Sequence, residues 1–236
     1  MMYAKDLTKP CIKAGFRGRH AAAARVTEDL MSDTHTEQMK DFLKTRREAF
    51  LDAAAEILAR QGIRKTTMDE LAAQADVAKV VLYRYFGAKD KLVHEVLERI
   101  TDQLLDADAK GSDWWTERVR STLEVARGNR DAIILLVRHS AHDPEYMRHF
   151  ERLQAALVER VIERLDEIFL DAKPIGEDKI YLGETITTFF LNAYLRWLET
   201  GAPDEDDAFF EWVTRSVQSM SYHWYQMPLP DPDKAA

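Results

Sequence analysis

The stretch TTMDELAAQADVAKVVLYRYFGAKDK, residues 66–91, decides the fold of this chain. Glu70 follows Thr67 by three residues, which is the capping-box spacing at the start of a helix, and apolar residues then recur on one helical face. Asp76 interrupts this pattern, and Asp is one of the few residues that adopt the left-handed conformation of a sharp turn. The pattern predicts two short helices joined by a tight turn, with the second over residues 78–86.

Residues 80–86 are rich in Val, Leu, Tyr and Phe, a composition that also favours a β-strand. The chain has no second strand-like segment with which such a strand could pair, and an isolated strand is not stable. We therefore predict a helix that is anchored in the core by Leu82 and Phe86. The side chains predicted to point outward from it are Lys79, Tyr83 and Arg84.

From Phe50 to Leu92 the chain resembles, without a gap, the DNA-binding domain of the tetracycline-repressor (TetR) family of bacterial regulators. The resemblance lies in FLDAAAEILARQG, TTMDELAAQA and VLYRYFGAKDKL, and LYRYFGAK (residues 82–89) is its most specific part. Three positions depart from the family: Asp76 replaces a turn glycine, Ala78 a capping serine, and Val80 a small residue. The first two bear on local stability, and the third on which bases are read.

The resemblance and the side-chain chemistry together predict a surface that contacts DNA. Basic side chains neutralise phosphates, hydroxyl groups hydrogen-bond them, Lys or Arg suits guanine edges, and a Val methyl suits thymine. The predicted DNA-binding residues are Thr66, Thr67, Lys79, Val80, Val81, Tyr83, Arg84, Tyr85 and Lys89. In the family, the positions of Tyr83, Tyr85 and Lys89 often contact the DNA backbone, although Tyr85 suits the core equally well. Arg64, Lys65 and Lys91 are further candidates for phosphate contacts.

Composition and charge are compatible with this interpretation. The chain has 236 residues and one cysteine, Cys11, which fits a reducing cytoplasm. No apolar run approaches the ~20 residues of a membrane span, so we expect a cytoplasmic protein without a membrane partner. Net charge is −8, but residues 1–92 carry 17 Lys and Arg against 13 Asp and Glu, while the remainder carries 16 against 28. A basic end and an acidic remainder orient a molecule toward phosphate.

The remaining periodicity predicts an all-α protein. In the predicted fold, an N-terminal three-helix helix-turn-helix DNA-binding domain is linked by a long helix to a C-terminal helical bundle for ligand binding and dimerisation. The predicted divisions are a disordered tail (1–40), the DNA-binding domain (41–90), the effector-binding and dimerisation domain (91–227) and a second disordered tail (228–236). Predicted helix bounds are about 44–61, 89–106, 114–128, 144–169, 178–200 and 204–225, with a deeply buried helix around 133–137. Basic residues of the first tail could alternatively form an arm that touches DNA.

The family resemblance implies a small-molecule effector inside the bundle and a dimer built by the last two helices. The candidate effector-binding residues, for an apolar or aromatic ligand, are Trp114, Trp115, Arg138, His139, His142, Phe150, Phe189 and Tyr194. The aromatic members of this set fit plain core positions too, and we predict no metal and no cofactor. The candidate dimer-interface residues are Ile186, Phe190, Trp197, Phe209, Val213, Val217, Met220 and Trp224. The alternative is a monomer in which all of these apolar side chains lie inside the protomer.

Two functions remain open at this point. The first is a ligand-responsive regulator, a repressor by family resemblance, that binds a pseudo-palindromic operator in double-stranded DNA as a homodimer. The second is an α-helical ligand-binding or enzymatic bundle whose helix-turn-helix motif is incidental. The sequence has no Gly-rich phosphate loop, nucleophile elbow or His-Glu metal motif, so we expect a protein that is not an enzyme.

Overall fold

A computed structural model describes residues 17–110, 115–170 and 172–227, and within these ranges the chain is helical with no β-strand. The α-helices are α1 (Arg17–Gln61), α2 (Met68–Gln74), α3 (Lys79–Phe86), α4 (Lys89–Lys110), α5 (Trp115–Gly128), α6 (Arg130–Ile134), α7 (Met147–Phe169), α8 (Lys179–Thr200) and α9 (Asp206–Trp224). A π-helix, Leu135–Ser140, continues α6, and short 3-10 turns, Ile175–Glu177 and Pro203–Glu205, precede α8 and α9. The predicted all-α class is confirmed.

Helix α1 is longer than the sequence predicts, because it begins at Arg17 rather than at about Lys44. Its added part, for which we predicted a tail without regular structure, is rich in Ala, Arg, Glu and Met, which are strong helix formers. The chain divides into two units between Glu48 and Ala49, and residues 37–45 of the first unit are exposed. Residues 1–16 and the predicted tail over 228–236 lie outside the described residues.

The helix-turn-helix forms as the sequence predicts. Thr67 caps α2: its hydroxyl accepts a hydrogen bond from the backbone N–H of Glu70 at 3.3 Å, and the Glu70 carboxylate accepts one from the Thr67 N–H at 2.8 Å. Asp76 takes the left-handed conformation with φ of +51°, and Ala78 precedes α3 without a side-chain cap. The strand alternative for residues 80–86 is wrong, because α3 covers them.

Residues 49–61 of α1 and helices α2 and α3 share one apolar core. Phe50 meets the ring of Tyr85 edge-on, with 5.1 Å between centroids, and lies 6.5 Å from the ring of Phe86. Leu58, Leu71 and Leu82 are essentially inaccessible to solvent within the same core. The buried face of α4 is the predicted one, formed by Leu92, Val93, Val96, Leu97, Ile100 and Leu104.

Helices α5 to α9 pack with α4 into the C-terminal bundle. The predicted burial around Ile133 to Val137 is confirmed for residues 133–136, which lie where α6 passes into the π-helix. Gly183 of α8 lets α7 approach closely, because a Cβ at this position would lie 3.0 Å from the side chain of Ile162. The aromatic rings of Phe169 and Tyr225 stack at 4.0 Å in a second, smaller apolar cluster.

Two predicted helix starts move by a few residues. Helix α7 begins at Met147 instead of near Pro144, because Asp143 organises a turn first. Its carbonyl accepts hydrogen bonds from the N–H groups of Tyr146 and Met147 at 2.9 and 2.8 Å. Helix α9 begins at Asp206 after a 3-10 turn that has Pro203 in its first position.

Candidate nucleic-acid interface and bundle cavity

The outward face of α3 carries both charged and apolar side chains. Lys79, Val80, Tyr83 and Arg84 are exposed, and Val80 leaves 71% of its surface accessible, which is unusual for a large aliphatic residue. Leu82 and Phe86 are buried, as predicted. A short helix with one anchored face and one free face has the shape that enters a major groove.

An ion pair connects Lys79 to the preceding helix, α2. Its Nζ donates to Oδ2 of Asp69 in α2 at 2.8 Å and lies 5.9 Å from the centre of the Tyr83 ring. The hydrogen bond to Asp69 raises the pKa of Lys79. The exposed Arg84 is thus the more open of the two predicted base-reading cations, since it has no carboxylate partner among the described residues.

Three predicted phosphate contacts have roles within the protein. Thr66 is buried, and its hydroxyl donates to the carbonyl of Gly62 at 2.9 Å. Thr67 is exposed but forms the α2 cap. The ammonium of Lys89 donates to the carbonyls of Ile63 and Thr66, at 2.9 and 3.0 Å. The spacing in the sequence does not reveal that the loop from α1 to α2 folds over the start of α4.

Tyr85 and Val81 are half-buried and pack against the core of the helix-turn-helix. Lys65 and Lys91 are exposed. Arg64 is bound to two carboxylates, Asp143 and Glu145, of the turn before α7. Of the predicted DNA-contacting set, the structure therefore brings Lys79, Val80, Tyr83 and Arg84 together on one free surface, the α3 face.

The candidate effector residues whose side chains the structure describes do not form one cluster. Arg138 is exposed and pairs with Glu199 at 2.6 Å, His142 is exposed, and the His139 ring Nε2 lies 3.0 Å from the carbonyl of Ala59. These three residues lie on the π-helix and the turn after it. Trp114, and the side chain of Trp115, lie outside the described residues.

Tyr194 is the candidate that lines a cavity within the bundle. The cavity has a volume of about 40 Å³ between α4, α5, α7 and α8, with Leu104, Ile133, Leu157 and Phe190 among its apolar walls. The Tyr194 hydroxyl is buried beside Thr122 and has no well-formed hydrogen bond in the described part of the chain. Burial raises the pKa of Tyr194, so the phenol stays protonated. Phe150 and Phe189 are half-buried and pack against the main core.

An ion-pair cluster borders this cavity. Asp108 belongs to the cavity wall and lies 3.5 Å from the guanidinium of Arg118 and 3.3 Å from that of Arg160. The Arg118 guanidinium also donates to the Asp108 carbonyl at 3.0 Å. The sequence gives no sign of this cluster, because its members are spread over α4, α5 and α7.

Four of the predicted dimer-interface residues face the protomer's own core. Ile186, Phe190, Phe209 and Val213 are buried among the protomer's own side chains, so in this structure they are not exposed to a partner. Trp197, Val217, Met220 and Trp224 are half-buried. The large exposed apolar side chains of α8 and α9 are instead Ile180, Tyr181 and Trp212.

A pair of histidines joins α4 to α7. The Nδ1 atom of His94 lies 3.0 Å from Nε2 of His149, and an Arg148 nitrogen lies 3.3 Å from the same Nδ1. Because arginine can only donate, Nδ1 of His94 is the acceptor of both bonds. Burial lowers the pKa of His94 and lowers that of His149 to about 4, so both rings are neutral at pH 7. The described residues contain no group of three His, Cys, Asp or Glu side chains suited to a metal ion.

Comparison with known proteins agrees with this geometry. Residues 50–96 match the family described as bacterial regulatory proteins, tetR family. An uncharacterized HTH-type transcriptional regulator of Mycobacterium tuberculosis is 30% identical over 128 residues, which cover 50% of this chain and 54% of that protein. The chain thus spans about half the length of this relative. The HTH-type transcriptional repressor KstR of Rhodococcus jostii is 28% identical over 77% of this chain and 83% of its own length.

Solved structures share the fold along most of their length. A transcriptional regulator from Aquifex aeolicus superposes with a TM-score of 0.60 at 16% identity, covering 74% of this chain and 99% of the other. AibR, in complex with isovaleryl coenzyme A and operator DNA, superposes with a TM-score of 0.52 at 18% identity, covering 78% and 100%. The fold and the α3 face define a helix-turn-helix protein. Its residues 50–96 match the DNA-binding domain of the tetR family of bacterial regulatory proteins.

Proposed function

We propose that this protein is a ligand-responsive transcriptional regulator that binds a pseudo-palindromic operator as a homodimer. The observation that carries the proposal is the α3 face, where Val80, Tyr83 and Arg84 are exposed on a helix anchored by buried Leu82 and Phe86. Arg84 suits a guanine edge and the Val80 methyl groups suit thymine. Because its proposed target is chromosomal DNA, we also propose that the protein acts in the cytoplasm.

Repression is the more strongly supported direction of control. The KstR proteins of Rhodococcus jostii and Mycolicibacterium smegmatis match over 83% and 81% of their lengths, and both are named repressors. FasR, a named activator, matches over 35% of its length. The longer matches include the bundle, where an effector would act. We therefore propose that the free protein represses and that a ligand releases it.

The cavity beside Tyr194 is the proposed effector site. Its apolar walls suit an apolar ligand, and AibR, which shares the fold, is known in complex with both a small molecule and operator DNA. At about 40 Å³ the cavity has space for only a few water molecules, so side chains must move to admit a ligand. Ligand binding and DNA binding are then linked, because a ligand that favours one orientation of the DNA-binding domains changes operator affinity.

Dimerisation is proposed because one helix-turn-helix gives weak binding. The exposed Tyr181 of α8 and Trp212 of α9 are large apolar groups suited to a partner surface. Two recognition helices about 34–36 Å apart would then reach successive major grooves.

In vitro selection from randomised duplexes, followed by gel-shift titration at several salt concentrations, tests the proposal. We expect a two-fold symmetric sequence to be enriched, and we expect Tyr83→Ala and Arg84→Ala each to weaken its binding at least tenfold. Lys110→Ala is the matched control, since this exposed cation lies at the opposite end of α4 from the helix-turn-helix. Binding that survives both α3 substitutions unchanged would contradict the proposal.

A further inference from the structure

The loop between α1 and α2 meets the turn between the π-helix and α7. Arg64 of the loop makes a bidentate contact with Asp143 of the turn: Nε donates to Oδ2 at 2.7 Å and Nη2 donates to Oδ1 at 2.6 Å. Its third nitrogen, Nη1, lies 3.0 Å from the carboxylate of Glu145, and the guanidinium lies 5.5 Å from the ring centre of Tyr146. A bidentate contact of this kind, called the fork below, fixes the orientation of the guanidinium as well as its distance from the carboxylate.

Asp143 is rigidly held on the bundle side of this contact. Its side chain is only 11% exposed, and its Oδ1 also accepts the N–H of Glu145 at 3.1 Å. The hydrogen bond from Arg64 lowers the pKa of Asp143, so the carboxylate is ionised at neutral pH. The carboxylate therefore belongs to the turn that starts α7, and Arg64 reaches it from the helix-turn-helix.

Further hydrogen bonds hold the same two segments. The buried Tyr146 donates its hydroxyl to Asp90, in the first turn of α4, at 3.0 Å. The ring of His139 lies 3.0 Å from the carbonyl of Ala59, which can only accept, so Nε2 of His139 carries the proton. Lys89 binds the loop from the α4 side. The end of α1, the loop and the start of α4 are thus fastened to residues 139–146 of the bundle.

From this geometry we infer that Arg64 and Asp143 are positioning residues, which fix the orientation of the helix-turn-helix on the bundle and so set the half-site spacing that a dimer accepts. The inference rests on the proposed function. Helix α4 alone would leave the DNA-binding domain free to swing about one helix, whereas a fork between residues 79 apart in the chain opposes rotation. In a dimer joined through its bundles, the distance between the two α3 helices depends on the angle between each helix-turn-helix and its own bundle.

The exposure of Arg64 separates this role from simple stabilisation. The Arg64 side chain is 62% exposed, and the Asp143 carboxylate, at 11% exposure, keeps the N–H of Glu145 as a second partner. We therefore expect the chain to stay folded when the pair is lost, and the geometry of binding to change. A destabilised protein would lose affinity for all spacings alike, whereas a loosened orientation makes affinities for different spacings converge.

The experiment uses the selected palindrome and versions with one or two base pairs inserted or removed between its half-sites. For the unaltered full chain we expect affinity to fall at least tenfold at the wrong spacings. For Asp143→Asn, which leaves the charge of Arg64 in place, we expect this difference to shrink to threefold or less. Arg64→Lys, which keeps the charge and loses the fork, should flatten the profile in the same way.

Glu199→Gln is the matched control, because Arg138 and Glu199 form a similar long-range pair with 53% and 14% exposure. It should keep the sharp spacing profile, and thermal unfolding should show that all variants are folded. A sharp profile retained in both Asp143→Asn and Arg64→Lys would overturn the inference and leave the proposed function intact. Failure of the unaltered protein to bind any duplex would contradict both the inference and the proposed function.

Discussion

The ammonium group of Lys89 can bind either a DNA phosphate or carbonyl groups of the protein itself. In the structure its ammonium is bound by the carbonyls of Ile63 and Thr66, so it closes the loop between α1 and α2. The family resemblance assigns a phosphate contact to the same position. The two roles differ in one measurable property, because each cation that contacts a phosphate releases a counterion on binding.

We predict that Lys89→Gln weakens operator binding and leaves its salt dependence unchanged. The loop carbonyls lose their donor and the helix-turn-helix shifts, but no phosphate contact is lost. For Arg84→Gln the slope of log K against log[salt] should fall by about 1. Gel-shift titrations between 50 and 200 mM salt, about the range over which such slopes are measured, would check this. A slope for Lys89→Gln that fell as it does for Arg84→Gln would assign Lys89 to the DNA instead.

Single residues show which parts of the site the sequence could reveal. The α2 cap, the left-handed Asp76 and the burial of Leu82 follow from local spacing, and the structure has all three. Partners distant in the chain do not follow from it. Arg64 is a candidate phosphate contact by sequence, and the fold places Asp143 beside it, a pairing across 79 residues that local sequence cannot show.

At the scale of elements, the histidine pair between α4 and α7 makes their packing depend on pH. His149 is only 6% exposed, and burial lowers its pKa from 6.5 to about 4. Arg148 and Arg152 add to this lowering, whereas Asp102 opposes it. Below pH 6.5 the unfolded chain takes up a proton that the folded protein does not, so stability falls as pH falls from 6.5 toward 4.

We predict that the free energy of unfolding decreases by on the order of 2 kcal/mol between pH 6.5 and 4.5 on account of this histidine. Urea unfolding followed by circular dichroism at steps of pH would measure it. His149→Gln should flatten the dependence between pH 6.5 and 5, where most carboxylates stay ionised. An exposed histidine, His142, provides the control His142→Gln, which should leave the dependence unchanged. Identical curves for His149→Gln and the unaltered chain would contradict the assignment.

Elements also show where periodicity is ambiguous. Helices α8 and α9 each carry apolar residues on more than one face, and the sequence pattern does not say which face turns inward. Phe190 and Val213 were predicted at a partner surface, yet they fill the protomer's core, while Tyr181 and Trp212 remain outside. In α4 a single apolar stripe left no such choice, and its buried face was predicted correctly.

At the scale of the whole molecule, the proposed dimer depends on the apolar side chains left exposed on α8 and α9. Trp212 is 53% exposed, and its ring lies 5.9 Å from that of Phe189 and 6.2 Å from that of Phe209. One side of the Trp212 indole packs against these two rings, and its other side is exposed to solvent. Such a rigid aromatic surface suits the centre of an interface.

We predict that Trp212→Asp converts the dimer to a monomer, because it places a charge where a partner would bury an indole. Sedimentation equilibrium at micromolar concentration would measure the change in mass. Val80→Asp, which adds the same charge at an exposed apolar position on α3, should leave the mass unchanged. A Trp212→Asp protein that retained the mass of the dimer would move the interface elsewhere.

The π-helix from Leu135 to Ser140 has a consequence for how this chain tolerates changes in length. A π turn holds one residue more than an α turn, so removing Val137 would restore ordinary helical winding. Every side chain before the deletion would then be rotated by about 100° relative to those after it. His139 could not keep its place against Ala59 while Ile133 and Leu135 stayed in the core. One deleted codon at this point would therefore put the C-terminal bundle out of phase with the helix-turn-helix, although no residue of the α3 face would change.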